Sequence, residues 1–280
     1  MRFHTLDELF ARHRLFLIDA YGVLVTSSGA LPGARDFIER LNRDSEREYF
    51  IITNDASRLP EDCASYYGSY GVPVASERVL TAGLAIQTGL SELKSPRCFV
   101  LGTQATKTYV ERAGGTVAPH DDKGEFDAVV VGDDSGFDVL PTLNALLTAL
   151  HRKQVEGAPR PKLLLANSDF LYPRGGGGFG FTSGAIAKLL LLGLEHLHPD
   201  ETWAFETLGK PEPALFQLAL KRARFGAPDA VMIGDQLPTD IRGANRAGIA
   251  STLMASSLTK LPLDPALPKE MQPTYILRSL

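Results

Sequence analysis

Four short segments of this 280-residue chain place carboxylate, hydroxyl or ammonium side chains at the ends of apolar runs. Apolar runs of this length, bounded by polar residues, predict buried strands. Ligands of open α/β sheets bind beyond the carboxyl ends of the strands, so we expect these side chains to converge at one sheet edge. They belong to Asp19, Thr53, Lys210, Asp235 and Asp240.

This set of side chains is suited to bind a metal ion and a phosphate group. Asp19 and Asp235 would repel each other unless a divalent cation lay between them, and Mg2+ accepts one or two carboxylates together with water and phosphate oxygens. Thr53, Asn54 and the backbone N–H groups at the start of the next helix can hold an anion, to which Lys210 adds a positive charge. The chemistry that needs these parts is phosphoryl transfer, with Asp19 as the carboxylate nucleophile.

Each of these residues also has an ordinary structural explanation. An aspartate after a strand often caps a helix or lies in a turn, as Asn54 and Asp55 could. A lysine such as Lys210 is usually a surface residue, and Gly-Asp at 234–235 is a common turn. Their joint occurrence, each at the end of a predicted strand, favours the functional interpretation.

Apolar runs alternate with amphipathic stretches along the chain, which predicts an α/β fold with helices packed on a parallel sheet. Buried strands are expected at 15–20, 49–54 and 230–235. The segment WAFET at 203–207 is expected to resume the pattern of these strands, and TYILRSL at the end of the sequence predicts an edge strand.

Composition and charge narrow the classes of function. Charged residues make up 22% of the chain and the formal net charge is -4, so nothing indicates a nucleic-acid or membrane partner. The two cysteines, Cys63 and Cys98, lack CxxC spacing, which favours a reducing compartment. The first residues lack the apolar stretch of a signal peptide, and the apolar run at 189–194 is too short to span a bilayer. We expect a cytoplasmic protein that binds a small phosphorylated molecule.

The chain resembles the haloacid dehalogenase (HAD) superfamily through four motifs. The stretch between the second and third motifs resembles the α/β cap of NagD-like class IIA phosphatases. The resemblance implies a Rossmann-like core with a parallel sheet, formed by residues 1–80 and 205–280, and an inserted α/β cap domain at 81–204. Class IIA relatives often form dimers through the cap, so a homodimer is expected by analogy. The motifs are DAYGVL at 19–24, ITN at 52–54, GKP at 209–211 and GDQLPTD at 234–240.

By this resemblance, Asp19 is the nucleophile that forms an aspartyl-phosphate, and Mg2+ is the cofactor. Thr53 and Lys210 resemble the residues that hold the phosphate, and Lys210 would also restrain the Asp19 carboxylate. The implied activity is the hydrolysis of a small phosphomonoester, for which a sugar phosphate is one candidate. The implied metal-binding residues are Asp19, Tyr21 through its backbone carbonyl, Asp235, and Asp240 as a supporting acid.

One position departs from the family pattern. Motif I of HAD phosphatases usually reads D-x-D, and its second aspartate acts as general acid and then as general base; here that position is Tyr21. Loss of such a group typically costs about 10²–10⁴-fold in rate, and a phenol with a pKa of about 10 is a poor base at neutral pH. As a catalytic residue, Tyr21 could donate a proton or a hydrogen bond. A metal- and phosphate-binding homologue with little turnover is therefore the first alternative.

The DAYG form of motif I also occurs in 2-haloacid dehalogenases, which attack carbon with the same aspartate and need no metal. Those enzymes do not usually keep the acidic pattern of motif IV, and their cap is helical. They also have threonine where this chain has Val23. Dehalogenase chemistry is the second alternative to phosphatase chemistry.

The expected cap carries weaker signals for substrate binding. Asn167 and Asp169, which follow a predicted strand, would face the core domain by resemblance. We assign them a role in substrate binding or cap docking, with a turn role as the alternative. The glycine-rich segment at 175–180 predicts either a flexible loop that faces the active site or a plain surface loop.

Overall fold

The computed structural model describes residues 2–174, 178–255, 259 and 261–280. Among the described residues, no helix is both long enough and apolar enough to cross a membrane. The chain divides into two compact units, and each is described by itself. The first unit comprises Met1–Thr53, Pro60–Thr81 and Lys210–Leu280, and the second comprises Asn54–Leu59 and Ala82–Gly209.

The strands of both units are short, as is usual for α/β proteins. In chain order, the described strands are β1 (Leu15–Ile18), β2 (Val25–Thr26), β3 (Gly29–Ala30), β4 (Glu48–Thr53), β5 (Val79–Thr81), β6 (Arg97–Leu101), β7 (Thr116–Ala118), β8 (Ala128–Val131), β9 (Lys162–Leu165), β10 (Leu171–Arg174), β11 (Gly178–Phe181), β12 (Glu206–Thr207), β13 (Ala230–Gly234), β14 (Ala250–Met254) and β15 (Tyr275–Leu277).

Helices separate most of these strands. A π-helical turn at Leu237–Ile241 leads directly into the last α-helix. In chain order, the described α-helices are α1 (Leu6–Phe10), α2 (Ala34–Arg43), α3 (Pro60–Ser69), α4 (Ala82–Leu90), α5 (Gln104–Arg112), α6 (Val139–Val155), α7 (Ser183–Leu197), α8 (Ala214–Arg222) and α9 (Arg242–Arg246).

A parallel sheet forms the centre of the first unit. Its described strands lie in the order β15-β14-β13-β1-β4-β5. The chain therefore builds outward from β1 in one direction through β4 and β5, and in the other through β13, β14 and β15. The order reverses between β1 and β13, and such a switch point is where open α/β sheets bind ligands. The predicted edge strand near the C-terminus is β15.

Apolar patterning explains the packing of this unit. All four residues of β1 are buried, as expected for a central parallel strand covered on both faces. Helix α2 presents Phe37, Ile38 and Leu41 to the core at helical spacing, whereas Arg35 and Asp36 are exposed. These side chains share one core cluster with residues of β1, β4 and β13.

The second unit has a parallel sheet of its own. Its described strands lie in the order β12-β9-β8-β6-β7, so the order reverses between β6 and β8. Its core cluster includes Phe99 of β6, Val129 of β8, Leu146 of α6 and the buried Trp203. The mixed α/β architecture with parallel sheets confirms the predicted fold class.

Residues 54–59 belong to the second unit because side chains of α5 and its N-cap bind their backbone. The hydroxyls of Thr103, Thr106 and Tyr109 donate hydrogen bonds to the carbonyls of residues 57, 56 and 58, at 2.7, 2.9 and 2.8 Å. The compact units therefore have boundaries that differ from the ranges expected from the sequence. The chain first enters the second unit at Asn54, returns to the first at Pro60, enters the second again at Ala82 and returns to the first at Lys210.

The prediction that WAFET resumes the pattern of the first strands was wrong. Only Glu206–Thr207 forms a strand, β12, and it pairs with β9 in the sheet of the second unit. The reason is packing, because Trp203 and Phe205 contact the core of that unit.

The glycine-rich segment is only partly a loop. Gly178–Phe181 forms β11, which pairs antiparallel with β10 in the second unit. Residues 175–177 lie outside the described residues.

Candidate active site

Asp19 lies at the carboxyl end of the central strand of the first unit. Its backbone N–H donates to the carbonyl of Ile233 at 2.8 Å, which extends the pairing of β1 with β13 by one residue. The preceding apolar residues anchor the strand, and the Asp19 side chain itself is buried. A carboxylate in such a place needs partners, because burial disfavours its charge.

Lys210 is the nearest described partner of Asp19. The Nζ atom of Lys210 lies 2.6 Å from Oδ1 of Asp19 and 2.6 Å from Oδ1 of Asp240, and all three side chains are buried. Charge-assisted hydrogen bonds of this length fix the positions of both carboxylates. The expectation that Lys210 is a surface residue is thereby excluded.

Burial and pairing shift the ionisation of this group in opposite directions. The pKa of Asp19 is raised from 3.8 to about 7, chiefly by burial; Lys210 opposes the rise and Asp240 adds to it. For Lys210, burial alone lowers the pKa of the ammonium, but Asp19 and Asp240 outweigh it and hold the pKa above its ordinary value. Lys210 is therefore charged at neutral pH, and one lysine does not fully compensate the two carboxylates.

Asp235 completes a group of three buried carboxylates. Asp19, Asp235 and Asp240 each offer an oxygen within 4.8 Å of the others, and this is the one such group among the described residues. Asp235 directly follows β13, and the π-helical turn brings Asp240 back so that its Oδ2 accepts a hydrogen bond from the N–H of Gln236 at 3.1 Å. Asp235 thus comes from the end of β13, and Asp240 comes from the π-helical turn that follows it.

Two glycines make room for these carboxylates. A Cβ on Gly22 would lie 2.2 Å from Oδ2 of Asp235, and the φ of Gly22 is +86°. A Cβ on Gly234 would lie 2.3 Å from the side chain of Asp240. Neither position accepts another residue without displacing a carboxylate, so the glycines of both motifs are required by close approach.

The donor set fits a divalent cation. Three carboxylates and one ammonium leave two negative charges uncompensated when all four groups are ionised. Buried carboxylate oxygens are ligands that Mg2+ accepts, and a cation there would lower the pKa of Asp19.

Thr53 and Tyr21 lie on the same sheet edge. Thr53 is the buried last residue of β4, the parallel neighbour of β1. Tyr21 lies on the loop after β1, where it forms an isolated bridge to Val25. Its half-buried ring packs against Tyr66, with ring centroids 6.3 Å apart and planes 26° apart.

The remaining predicted residues lie together in the second unit. The Nδ2 atom of Asn54 donates to Oδ1 of Asp169 at 3.3 Å, and the N–H of Asp169 donates to Oδ1 of Asn167 at 2.8 Å. The Nδ2 atom of Asn167 lies 3.3 Å from Oγ1 of Thr182. Asn54 follows Thr53 directly in the chain, so the second unit begins at the residue after the first unit's candidate phosphate ligand.

The sequence analysis missed Tyr66 and Tyr70. Tyr66 lies on α3 and Tyr70 just beyond its end, and both contact the core of the first unit. The run YYGSY at 66–70, in which two tyrosines stand four residues apart, was the available signal, because residues at this spacing share a helix face.

Two family models match the chain. One, described as haloacid dehalogenase-like hydrolase, matches residues 16–116, and the other, described as HAD-hydrolase-like, matches residues 207–280. The first match contains Asp19 and Thr53, and the second contains Lys210, Asp235 and Asp240.

Individual proteins are similar over nearly the whole chain. The ribonucleotide monophosphatase NagD of Escherichia coli is 25% identical, and the match covers 94% of this chain and 95% of NagD. A solved structure described as a "possible sugar phosphatase, HAD superfamily", from Cytophaga hutchinsonii, has a TM-score of 0.83 and 27% identity, covering 100% and 98% of the two chains. Glycerol phosphate phosphatase Rv1692 from Mycobacterium tuberculosis, solved in complex with magnesium, has a TM-score of 0.77 and 25% identity, covering 96% and 75%.

The resemblance drawn from the four motifs, including its NagD-like character, is confirmed by these matches. Both family models match at the segments that hold the candidate site, and these matches show that the chain is similar to haloacid dehalogenase-like hydrolases there.

Proposed function

We propose that this chain is a Mg2+-dependent phosphatase that hydrolyses a small phosphomonoester through an aspartyl-phosphate on Asp19. The observation that carries this proposal is the group of three buried carboxylates, two of which contact Lys210; when all four groups are ionised, two negative charges remain for a divalent cation. The names of similar proteins support it, because they include a ribonucleotide monophosphatase and a possible sugar phosphatase.

The residues that would hold Mg2+ are Asp19, Asp235 and the backbone carbonyl of Tyr21, with Asp240 as the supporting acid. Bound there, Mg2+ would neutralise negative charge on the phosphate oxygens. The magnesium complex of the similar glycerol phosphate phosphatase supports this choice of ion.

Asp19 would supply the nucleophile. One of its carboxylate oxygens bonds to phosphorus as the bond from phosphorus to the leaving oxygen breaks, and the leaving group departs with the electron pair. Water then attacks the phosphorus of the aspartyl-phosphate, which releases inorganic phosphate and restores the carboxylate.

The other residues of the site would bind the phosphate group. Lys210 holds one oxygen of Asp19 at 2.6 Å, so that the carboxylate is oriented before attack. Thr53 and Asn54 would donate to the phosphate oxygens. Asn167 and Asp169, which the second unit groups with Asn54, would bind the organic part of the substrate or dock the cap.

A binding homologue with little turnover is the second candidate, and Tyr21 is the observation that favours it. A stacked phenol ring stands where the family pattern places an acid/base carboxylate. Dehalogenase chemistry is less well supported, because it needs no metal and would leave the three converging carboxylates without a purpose.

An assay of phosphate release separates these candidates. The panel should contain sugar phosphates, nucleoside monophosphates, glycerol phosphate and a 2-haloacid, each with Mg2+ and with EDTA. The proposal expects phosphate release that requires Mg2+. Release that persists in EDTA would overturn the mechanism, halide release without metal would indicate a dehalogenase, and Mg2+ binding with negligible release from every ester would indicate the binding homologue.

Two further expectations accompany the proposal. The cytoplasm is the expected compartment, from cysteine usage. A homodimer formed through the cap is the expected assembly, by analogy with class IIA relatives.

A further inference from the structure

Three tyrosines of the first unit form a group that we call the aromatic cluster: Tyr21, Tyr66 and Tyr70. The ring of Tyr66 lies between the other two, with centroids 6.3 Å from Tyr21 and 5.0 Å from Tyr70. The Tyr66 ring is nearly parallel to Tyr21, at 26°, and nearly perpendicular to Tyr70, at 74°. All three side chains are half-buried, so part of each ring remains accessible in this unit.

The cluster is joined to the carboxylates through the loop after β1. Tyr21 is the second residue after Asp19, and the next residue, Gly22, passes so close to Asp235 that a Cβ would lie 2.2 Å from the carboxylate. On its other side, the cluster lies against the β2–β3 hairpin, where a Cβ on Gly29 would lie 3.9 Å from the ring of Tyr70. The loop after β1 therefore holds both the proposed nucleophile and Tyr21, through which the other two tyrosines are connected to the site.

We propose that the aromatic cluster is the subsite for the organic group of the substrate, and that this group carries a planar aromatic ring. The inference rests on the proposed phosphatase function. Half-exposed tyrosine rings bind other aromatic rings by stacking or edge contacts, because the negative face of one ring attracts the positive edge of another. A carboxylate at position 21 would attract polar groups instead, so the tyrosine changes the chemistry that is recognised beside Asp19.

The test uses two esters that differ only in the ring. Benzyl phosphate and cyclohexylmethyl phosphate have similar size and similar leaving alcohols, but only benzyl phosphate is planar and aromatic. We expect wild-type kcat/KM to favour benzyl phosphate, and Tyr66→Leu to reduce that preference about 3- to 10-fold, mainly through KM. Leucine keeps the side chain apolar, so packing against the core is retained.

Two further variants make the result specific. Tyr66→Phe keeps the ring face and should retain the preference. Phe3→Leu removes another half-buried ring of the same unit, which packs against Arg278 with 4.5 Å between the guanidinium carbon and the ring centroid. This variant should also retain the preference for benzyl phosphate. Thermal unfolding of each variant shows whether it is folded. If Tyr66→Leu does not fold, Tyr70→Leu takes its place in the test.

Equal kcat/KM for the two esters in wild type, or an unchanged ratio in Tyr66→Leu, overturns the subsite. If no ester is hydrolysed at all, the proposed function fails and the subsite is judged by calorimetric binding of the same two esters. Tighter binding of benzyl phosphate that is lost in Tyr66→Leu supports it in that case, and equal binding rejects it.

Discussion

The two parallel sheets share a topological feature but differ in what occupies it. In the first unit the strand order reverses between β1 and β13, and Asp19 and Asp235 follow these two strands. In the second unit the order reverses between β6 and β8, which are followed by Gly102 and Gly132. The same topological position is therefore followed by buried carboxylates in one sheet and by glycines in the other.

The side chains explain the difference. A Cβ on Gly102 or on Gly132 would lie 2.4 Å from Thr106, so the first turn of α5 fills the crevice of the second sheet. In the first sheet, the corresponding space is bordered by carboxylates and Lys210. Topology provides a crevice, and the residues after the strands decide whether a ligand or the protein's own helix occupies it.

The dipeptide Gly-Asp shows the same contrast. Asp235 in the first unit and Asp133 in the second both follow a glycine at the end of a strand beside the reversal. Asp133 accepts hydrogen bonds from the N–H and hydroxyl of Ser135, so its own loop satisfies it. Asp235 joins two other carboxylates around a lysine, an arrangement that a loop does not explain.

The largest effect is expected for Asp19, the proposed nucleophile. Asp19→Asn should reduce phosphate release about 10³-fold or more, because an amide oxygen does not form the acyl-phosphate. The matched variant Asp133→Asn should change the rate less than about twofold. Initial rates of phosphate release at saturating substrate and Mg2+ measure both. A comparable loss in the two variants would contradict the contrast between the two sheets.

The second effect concerns the residue beside the nucleophile. Tyr21→Asp should increase release from alkyl phosphates about 10²-fold, because the new carboxyl can protonate the leaving oxygen and then activate water. Tyr21→Phe, which also lacks a carboxyl, should show no gain. If Tyr21→Asp turns over no faster than wild type, the missing carboxylate does not limit the rate.

The third effect concerns the metal. Asp235→Asn should weaken Mg2+ binding at least about tenfold, because a charged ligand is removed from a site that needs two negative charges to balance the ion. Titration calorimetry with MgCl2 measures the affinity, and Asp134→Asn in the second unit is the control. Equal Mg2+ affinity in wild type and Asp235→Asn would place the ion elsewhere.

The smallest effect is on stability. Burial raises the pKa of Asp133 to about 6 from an ordinary 3.8. The folded carboxyl then keeps a proton that the unfolded one loses, so stability falls as the pH rises from about 4 through about 6. Asp133→Asn keeps an acceptor for Ser135 without the charge, and it should raise the free energy of unfolding by about 1 kcal/mol above pH 6.

Urea unfolding of wild type and Asp133→Asn at pH 4 and pH 8 checks this prediction. The two proteins should differ at pH 8 and converge at pH 4, where the Asp133 carboxyl is largely protonated when folded. A difference of the same size at both pH values would show that the effect is not one of ionisation.

Much of the fold could be predicted from local pattern. The apolar runs before Asp19, Thr53 and Asp235 became β1, β4 and β13, because a central parallel strand is buried on both faces and has little choice of residue. The WAFET segment misled for the same reason. An apolar run has the same sequence pattern whichever sheet it joins. Only the packing of Trp203 shows that this segment belongs to the second unit.

The candidate site was predictable where a residue's role follows from its place in the chain, and not where it follows from a distant neighbour. The family resemblance implied that Lys210 restrains Asp19, but the simultaneous contact of Lys210 with Asp240, 30 positions away, was not expected. The stacking of Tyr21 on Tyr66 likewise had no signal in either segment alone.

The sequence by itself indicated the family resemblance, the parallel α/β fold and the residue types at the strand ends, because these follow from motif spacing and apolar periodicity within short segments. Tertiary structure alone decided that Asp19 and Asp240 share Lys210, that Asn54 belongs to the second unit, and that Tyr21 belongs to an aromatic cluster. Burial, charge compensation and ring contact are properties of residues brought together from distant parts of the chain, and a linear pattern does not contain those distances.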